Sequence, residues 1–242
     1  MARRRWIADE VSGNRAYLTG KHAEHLARVL RARIGQEFDI AAAGGVRRGR
    51  ILAVGPERVE FELGQEVSAS AVLPVTVVHS IFKFDRMEWA IEKCTELGVA
   101  RIVPAIAQRT EPHLAAAAVN RVERWQRIVR QASEQSRRPS PPEISAPVKL
   151  KDVLTLPGGS RMVLAETERQ TALKNAVQSH GDGELLLAVG PEGGWTEAEL
   201  KSFRQANWTA VSLGRSILRA ETAAIAAIAV VMAELGQDIR QP

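Results

Sequence analysis

The chain has 242 residues and a formal net charge of +5, with 45% hydrophobic and 25% charged residues. That length buries a sizeable core in one large or two smaller domains, and the balance excludes a largely disordered chain. Basic charge suits a polyanionic partner without identifying one. The single cysteine, Cys94, excludes an intrachain disulfide and a multiple-cysteine metal cage, and reads as a small buried hydrophobe on a helix. Met1 to Trp6 is basic but lacks the apolar stretch of a signal peptide, and Ala223 to Ala233 is too short to span a bilayer. The expectation is a cytoplasmic protein with no membrane segment and no metal.

Residues 1–70 read as short strands between glycine-containing turns. Ala16-Tyr17-Leu18 and Phe38-Asp39-Ile40 are strand-like, and Gly44-Gly45 marks a hairpin into Gly49 to Val54. Val59 to Leu63 alternates with period two. One helix interrupts them from Lys21 to about Arg33, with Leu26, Val29 and Leu30 on one side and Gly35 ending it. Several short strands with one helix predict a small β-barrel. After a linker at Ala69-Ser70-Ala71, residues 71–242 alternate strand and helix. The expected strands are Val75 to Val78, Ile102 to Ile106, Met162 to Ala165, Leu185 to Val189 and Trp208 to Leu213. The expected helices are one capped by Asp85 and closed by Gly98, a long one from about Ala116 to Arg137 stopped by Pro139, Pro141 and Pro142, and one near Thr171 to Gln178. Another is capped by Thr196, and a final one runs from Arg219 to Leu235. This alternation predicts an α/β domain with a mostly parallel sheet covered on both faces.

In an open parallel sheet, ligands bind beyond the C-terminal ends of the strands. After Val189 comes Gly190-Pro191-Glu192-Gly193-Gly194, which is neither a dinucleotide nor a P-loop glycine pattern. A strand-to-helix turn needs about one glycine, so the density points to a backbone that a ligand approaches closely. After Leu213 comes Gly214-Arg215-Ser216-Ile217-Leu218-Arg219-Ala220-Glu221-Thr222. Two apolar residues in a loop want something to pack on, and Arg219 at a helix start opposes the macrodipole unless it has a partner. Taken alone, a structural reading of either segment stays open.

Taken together, Leu187 to Trp195 and the pattern Leu213-Gly214-x-x-Ile217-Leu218-Arg219-x-Glu221-Thr222-Ala223 resemble the RsmE family of ribosomal RNA methyltransferases, within the SPOUT superfamily. The resemblance extends to His25-Leu26-x-x-Val29-Leu30-Arg31, to Lys83, Arg86 and Glu88, to Lys93-x-x-Glu96-Leu97-Gly98-Val99, and to Trp125 and Glu134-Gln135-x-x-Arg138-Pro139. It implies a PUA-like β-barrel followed by a SPOUT domain whose C-terminal chain forms a trefoil knot. It also implies a homodimer that transfers a methyl group from S-adenosyl-L-methionine to N3 of a uridine in 16S rRNA, within the 30S subunit. The implied cofactor segments are Leu164-Ala165-Glu166, Gly190 to Gly194 including Pro191 and Glu192, and Leu213-Gly214 with Ile217-Leu218.

Methyl transfer to N3 needs alignment and a deprotonated imide, so Arg219 is expected to stabilise the uracil anion. Glu192 is the nearest base, its rival role being to orient loop amides. Expected phosphate contacts are an arm of Arg3, Arg4 and Arg5, then Arg28 and Arg31, Lys83 and Arg86, and Arg137 with Arg138 at the end of the long helix. The recurrence of Arg121, Arg124, Arg127 and Arg130 reads more readily as a solvated face. Two other functions stay open on the residues: a non-catalytic RNA-binding or assembly factor, and a SPOUT enzyme with a different RNA target.

Overall fold

The computed structural model describes residues 5–42, 45–67 and 72–236. Arg3, Arg4, Gly44 and the expected linker Ala69-Ser70-Ala71 lie outside the described residues. Two compact units form: Met1–Ala71 with Arg130–Pro141, and Val72–Val129 with Pro142–Pro242. The sequence division at residue 70 left Arg130–Pro141 with the second domain. In the structure Arg130–Pro141 lies in the first unit, where Arg130 binds Asp9 at 2.7 Å and the Ile7 carbonyl at 2.8 Å.

The first unit holds six strands: β1 (Arg5–Ile7), β2 (Glu10–Ser12), β3 (Arg15–Thr19), β4 (Glu37–Ala42), β5 (Gly45–Val54) and β6 (Arg58–Glu66). They pair in the order β1-β4-β5-β6-β3-β2, antiparallel except for β1 with β4. Period-two alternation sends Ala16 and Leu18 of β3 inward, beside Trp6, Phe38, Ile40 and Phe61. The expected single helix is instead α1 (Gly20–Glu24) followed by a π turn, His25–Val29. That wider turn, with Leu30 N–H bonded to the His25 carbonyl at 3.0 Å, carries the following residues off the face of Leu26. Leu26 is buried, but Val29 is 64% exposed and Leu30 37%. The segment ends at Arg31, which is left-handed at φ 50, rather than at Gly35.

The second unit is a parallel sheet built from β7 (Val75–Ser80), β8 (Arg101–Ile106), β9 (Glu143–Ile144), β10 (Val148–Lys149), β11 (Ser160–Leu164), β12 (Leu185–Val189) and β13 (Thr209–Val211). Its order is β10-β8-β7-β12-β11-β13, with β9 also on β8, and every pairing is parallel. The helices are α2 (Phe84–Leu97), α3 (Pro112–Ala117), α4 (Val122–Gln135, which from Arg130 onward belongs to the first unit), α5 (Leu150–Val153), α6 (Leu173–Gln178), α7 (Glu197–Gln205) and α8 (Ala220–Leu235). Along β12, Leu185, Leu187 and Val189 enter one core with residues of α2, α6 and α8. Leu186 and Ala188 enter the other core, with Val153, Phe203 and Trp208. A strand buried on both faces explains the continuous apolar run.

Local chemistry sets the helix ends. Gly98 at φ 112 closes α2, its N–H bonding the Cys94 and Thr95 carbonyls. Thr196 and Glu199 form a reciprocal capping box at the start of α7. Asp85 does not cap α2: the helix begins at Phe84 with Lys83 at the cap position, which leaves Asp85 in the first turn facing the positive end of the dipole. The expected long helix is broken by a 3₁₀ turn, Ala118–Arg121, where Val119 and Asn120 are poor helix formers. On α8, Ala224, Ala227, Ile228 and Val231 are buried, while Ile225, Ala226, Ala229 and Val230 stay half-exposed. Among the described residues no helix is long and apolar enough to cross a membrane.

Candidate active site

Strands β12, β11 and β13 are neighbours and run the same way, so the loops leaving their C-terminal ends meet. Between those loops lies a cavity of about 320 Å3. Leu164, Ala165, Glu166 and Thr167 line it after β11. Gly190, Pro191, Gly193, Gly194 and Trp195 line it after β12, and Leu213, Gly214, Ser216 and Leu218 after β13. Ala220 and Ala223 of α8 close one side. Of the residues expected at the cofactor, all but Glu192 and Ile217 line this cavity. Ile217 is 79% exposed, so the apolar loop contributes only Leu218 to the wall.

The glycines do different jobs. A Cβ on Gly190 would come 3.2 Å from Nε1 of Trp195, whose buried ring meets Phe203 edge-on at 4.9 Å. Gly190 thus lets the tryptophan floor the cavity. Gly194 has φ 68 and gives its N–H to the Pro191 carbonyl at 2.8 Å, a turn an L side chain would strain. Arg109, which follows β8, donates to the Gly193 carbonyl and lines the cavity as well. The strand-end rule could have found Arg109, but Gln108-Arg109 carries no glycine signature to draw attention.

Glu192 points to a different partner. Its Oε1 accepts from Arg86 Nη1 at 2.9 Å, and Arg86 Nε lies 3.9 Å from Oε1 of Glu221. Glu221 is buried, and its Oε2 has no hydrogen-bond partner. Arg86 therefore ties the loop after β12 to the start of α8. An expected phosphate contact is spent on two carboxylates, and the expected base is held by a cation. Near Glu221, at the end of β7, buried His79 stacks on Phe82 at 5.0 Å with Nδ1 3.0 Å from the Ser80 carbonyl. Burial pushes its pKa down to about 4, so the ring is neutral at physiological pH. Arg219 is exposed at the N-cap of α8, between Leu218 and Ala220, and does not itself line the cavity.

The other expected RNA contacts separate into spent and available cations. Arg5 donates to the Arg137 carbonyl, two residues past the end of α4. Arg28 pairs with Glu24 at 2.9 Å. Arg138 is 7% exposed, its Nε donates to the Ser140 carbonyl at 3.3 Å, and burial pushes its pKa down to about 10. Arg31, Lys83 and Arg137 are exposed. On the helical stripe, Arg121 and Arg124 converge on Glu88, at 3.6 and 2.8 Å. Cys94 is buried, which pushes its thiol up to about 12.

The comparisons with known proteins agree with this geometry. The family described as RNA methyltransferase domain matches residues 69–232, and the one described as RNA methyltransferase PUA domain matches residues 18–64. The fold and cavity thus define an RNA methyltransferase with a PUA-like domain. Ribosomal RNA small subunit methyltransferase E of Synechocystis is 35% identical over 90% of this chain and 73% of its own length. The enzyme of that name from Aquifex aeolicus is 28% identical over 94% and 98%. The crystal structure of the Neisseria gonorrhoeae enzyme of that name, bound to S-adenosyl methionine, superposes with a TM-score of 0.85 at 32% identity, covering 96% of this chain and 97% of that one. This chain belongs to the RsmE family of ribosomal RNA methyltransferases.

Proposed function

We propose that this protein methylates N3 of a uridine in 16S rRNA with S-adenosyl-L-methionine as donor, acting in the cytoplasm on the 30S particle as a homodimer. The observation that carries the reading is the cavity at the ends of β11, β12 and β13. Its volume of about 320 Å3 falls in the range of small-molecule sites. Leu164, Leu213 and Leu218 supply apolar walls for an adenine, and Arg109, Glu166 and Glu197 supply charged groups for a zwitterionic tail. The residues present therefore fit the cofactor that the gonococcal relative's structure holds. A trefoil threading of the C-terminal chain belongs to the same reading, supported by β11 lying between the later strands β12 and β13. The homodimer is supported by the half-exposed apolar side of α8, which suits a self-complementary interface.

Bound in the cavity, S-adenosyl-L-methionine supplies a methyl group already activated on a sulfonium. The chain's residues have to hold donor and uracil in line and favour the N3 anion. Arg219, exposed at the rim next to Leu218, is assigned to the uracil oxygen on which that charge grows. Glu192 is assigned to orienting the loop through Arg86, not to taking the proton. Solvent takes it.

The test is complementation of a deletion strain, with mass spectrometry of 16S rRNA nucleosides and calorimetric titration of the purified protein with S-adenosyl-L-methionine. Restored 3-methyluridine and saturable cofactor binding are expected. Cofactor binding with a different methylated nucleoside would redirect the target, and absence of both would leave a non-catalytic RNA-binding protein.

A further inference from the structure

A second cavity, of about 480 Å3, backs onto the first. Ser212, Leu213 and Gly214 line both, so the loop after β13 is a shared wall. Its charged lining is entirely basic: Arg169, Lys174 and Arg215. Lys174 lies 3.7 Å from Glu234, whose other oxygen accepts from Gln178 at 2.8 Å. Arg169 and Arg215 are exposed, and among the described residues neither guanidinium forms an ion pair or hydrogen bond.

The wall is rigidly placed. Ser212 accepts from Leu173 N–H at 2.9 Å and donates its own N–H to the Thr171 carbonyl at 2.9 Å, joining it to the entry of α6. Glu168 takes the Gln170 and Thr171 N–H groups at 2.6 and 2.9 Å, which holds its carboxyl below the usual range and fixes the loop bearing Arg169. Two uncommitted guanidinium groups are thus carried on loops whose backbones are tied beside the cofactor cavity. Among the described residues no carboxylate pairs with them.

We propose that this second cavity is a phosphate subsite, which takes an RNA backbone phosphate adjoining the nucleotide presented to the methyl group. The proposal rests on the methyltransferase reading above. Guanidinium forks match phosphate oxygens in pairs, and the half-buried Leu213 offers apolar contact to the attached sugar. A base is modified only when its nucleotide is splayed from its neighbours. A splayed nucleotide needs its flanking phosphate anchored close to the reacting centre, and a cationic cavity one loop away from the donor meets that need.

The test uses the full chain carrying Arg169→Gln and Arg215→Gln singly and together, with Arg169→Lys/Arg215→Lys as the charge-preserving control. Readouts are cofactor affinity by calorimetry, affinity for unmethylated 30S particles across a salt series, light scattering for assembly state, and single-turnover methylation. The double Gln variant should keep cofactor affinity within about twofold and lose tenfold or more in RNA affinity at physiological salt. Its log–log salt slope should fall by about one to two, on the order of 0.7 to 0.9 per phosphate contact. The Lys control should recover most of the slope. Unchanged RNA affinity and slope would overturn the subsite, as would a parallel collapse of cofactor affinity or loss of the dimer. Failure of the function reading looks different: the wild type itself would then neither bind cofactor nor methylate, whatever the slopes show.

Discussion

Replacing Arg86 with alanine removes one side chain from two carboxylates in unequal surroundings. The Arg86 and Glu192 side chains are 35% and 34% exposed, so their contact at 2.9 Å is a surface pair contributing under about 1 kcal/mol. Glu221 is only 6% exposed, and Arg86 lies 3.9 Å away. Unit charges at that distance attract by about 4 kcal/mol at an effective dielectric of about 20. Solvent reaching Arg86 screens much of this and leaves a coupling of about 1–2 kcal/mol. Arg86→Ala should therefore destabilise the fold by about 2 kcal/mol in total, since Glu221 stays buried with an unpaired charge. Urea unfolding of Arg86→Ala, Glu221→Gln and the double variant isolates the coupling, because loss of Glu221's interaction with the α8 dipole cancels in the cycle. Freed from Arg86, Glu192 should also let the loop after β12 relax and weaken cofactor binding severalfold in calorimetry. A coupling below about 0.3 kcal/mol, the ordinary scatter of independent sites, would refute the bridge.

Gly194→Val places a β-branched side chain at φ 68, a cost on the order of 1–2 kcal/mol, and should abolish cofactor binding in a folded protein; calorimetry and circular dichroism check both halves. Arg219→Lys should keep cofactor affinity but slow single-turnover methylation on the order of 10²-fold, with partial recovery as pH rises and more of the uracil is ionised; parallel loss of cofactor affinity would make Arg219 a cofactor ligand. His79 ionises near 6.5 when exposed and near 4 in the fold, so between those values the unfolded chain alone takes up a proton. Stability is then full above about pH 6.5 and falls by up to about 3 kcal/mol towards pH 4, a slope that urea titrations of His79→Phe should lack. Cys94, its thiol raised to about 12, should resist thiol reagents at pH 8 until the protein is denatured.

What could be read from the residues was whatever is encoded locally. The apolar runs of β12 and β7 announced a sheet buried on both faces, Gly98 and Thr196 announced helix ends, and the segments around Gly190 and Leu218 announced the walls of the cavity. Contacts between residues far apart in sequence were not legible. Glu88 collects Arg124 from 36 positions away, and Arg130 reaches Ile7 across 123. Arg86 and Arg138 look alike as letters, yet one bridges two carboxylates and the other is buried. The period around Leu26 predicted one continuous face because a 3.6-residue turn was assumed, and the π turn at His25–Val29 breaks that assumption. β9 and β10 are two residues each, too short to show any period.

The pairing of β7 with β12 constrains how this chain can be born. Val75 waits for Leu185, and Val78 for Ala188, so a strand with all six residues buried has one edge unsatisfied until most of the polypeptide exists. Folding of the second unit must then be slow and tail-dependent, since long-range parallel pairing demands loop closure before any reward. An apolar edge kept waiting is also a template for wrong partners, including the same strand in a neighbouring chain. Truncations or slow translation beyond α4 should send this protein into aggregates rather than into a partly active form, because every wall of the cofactor cavity except Arg109 is synthesised after that point.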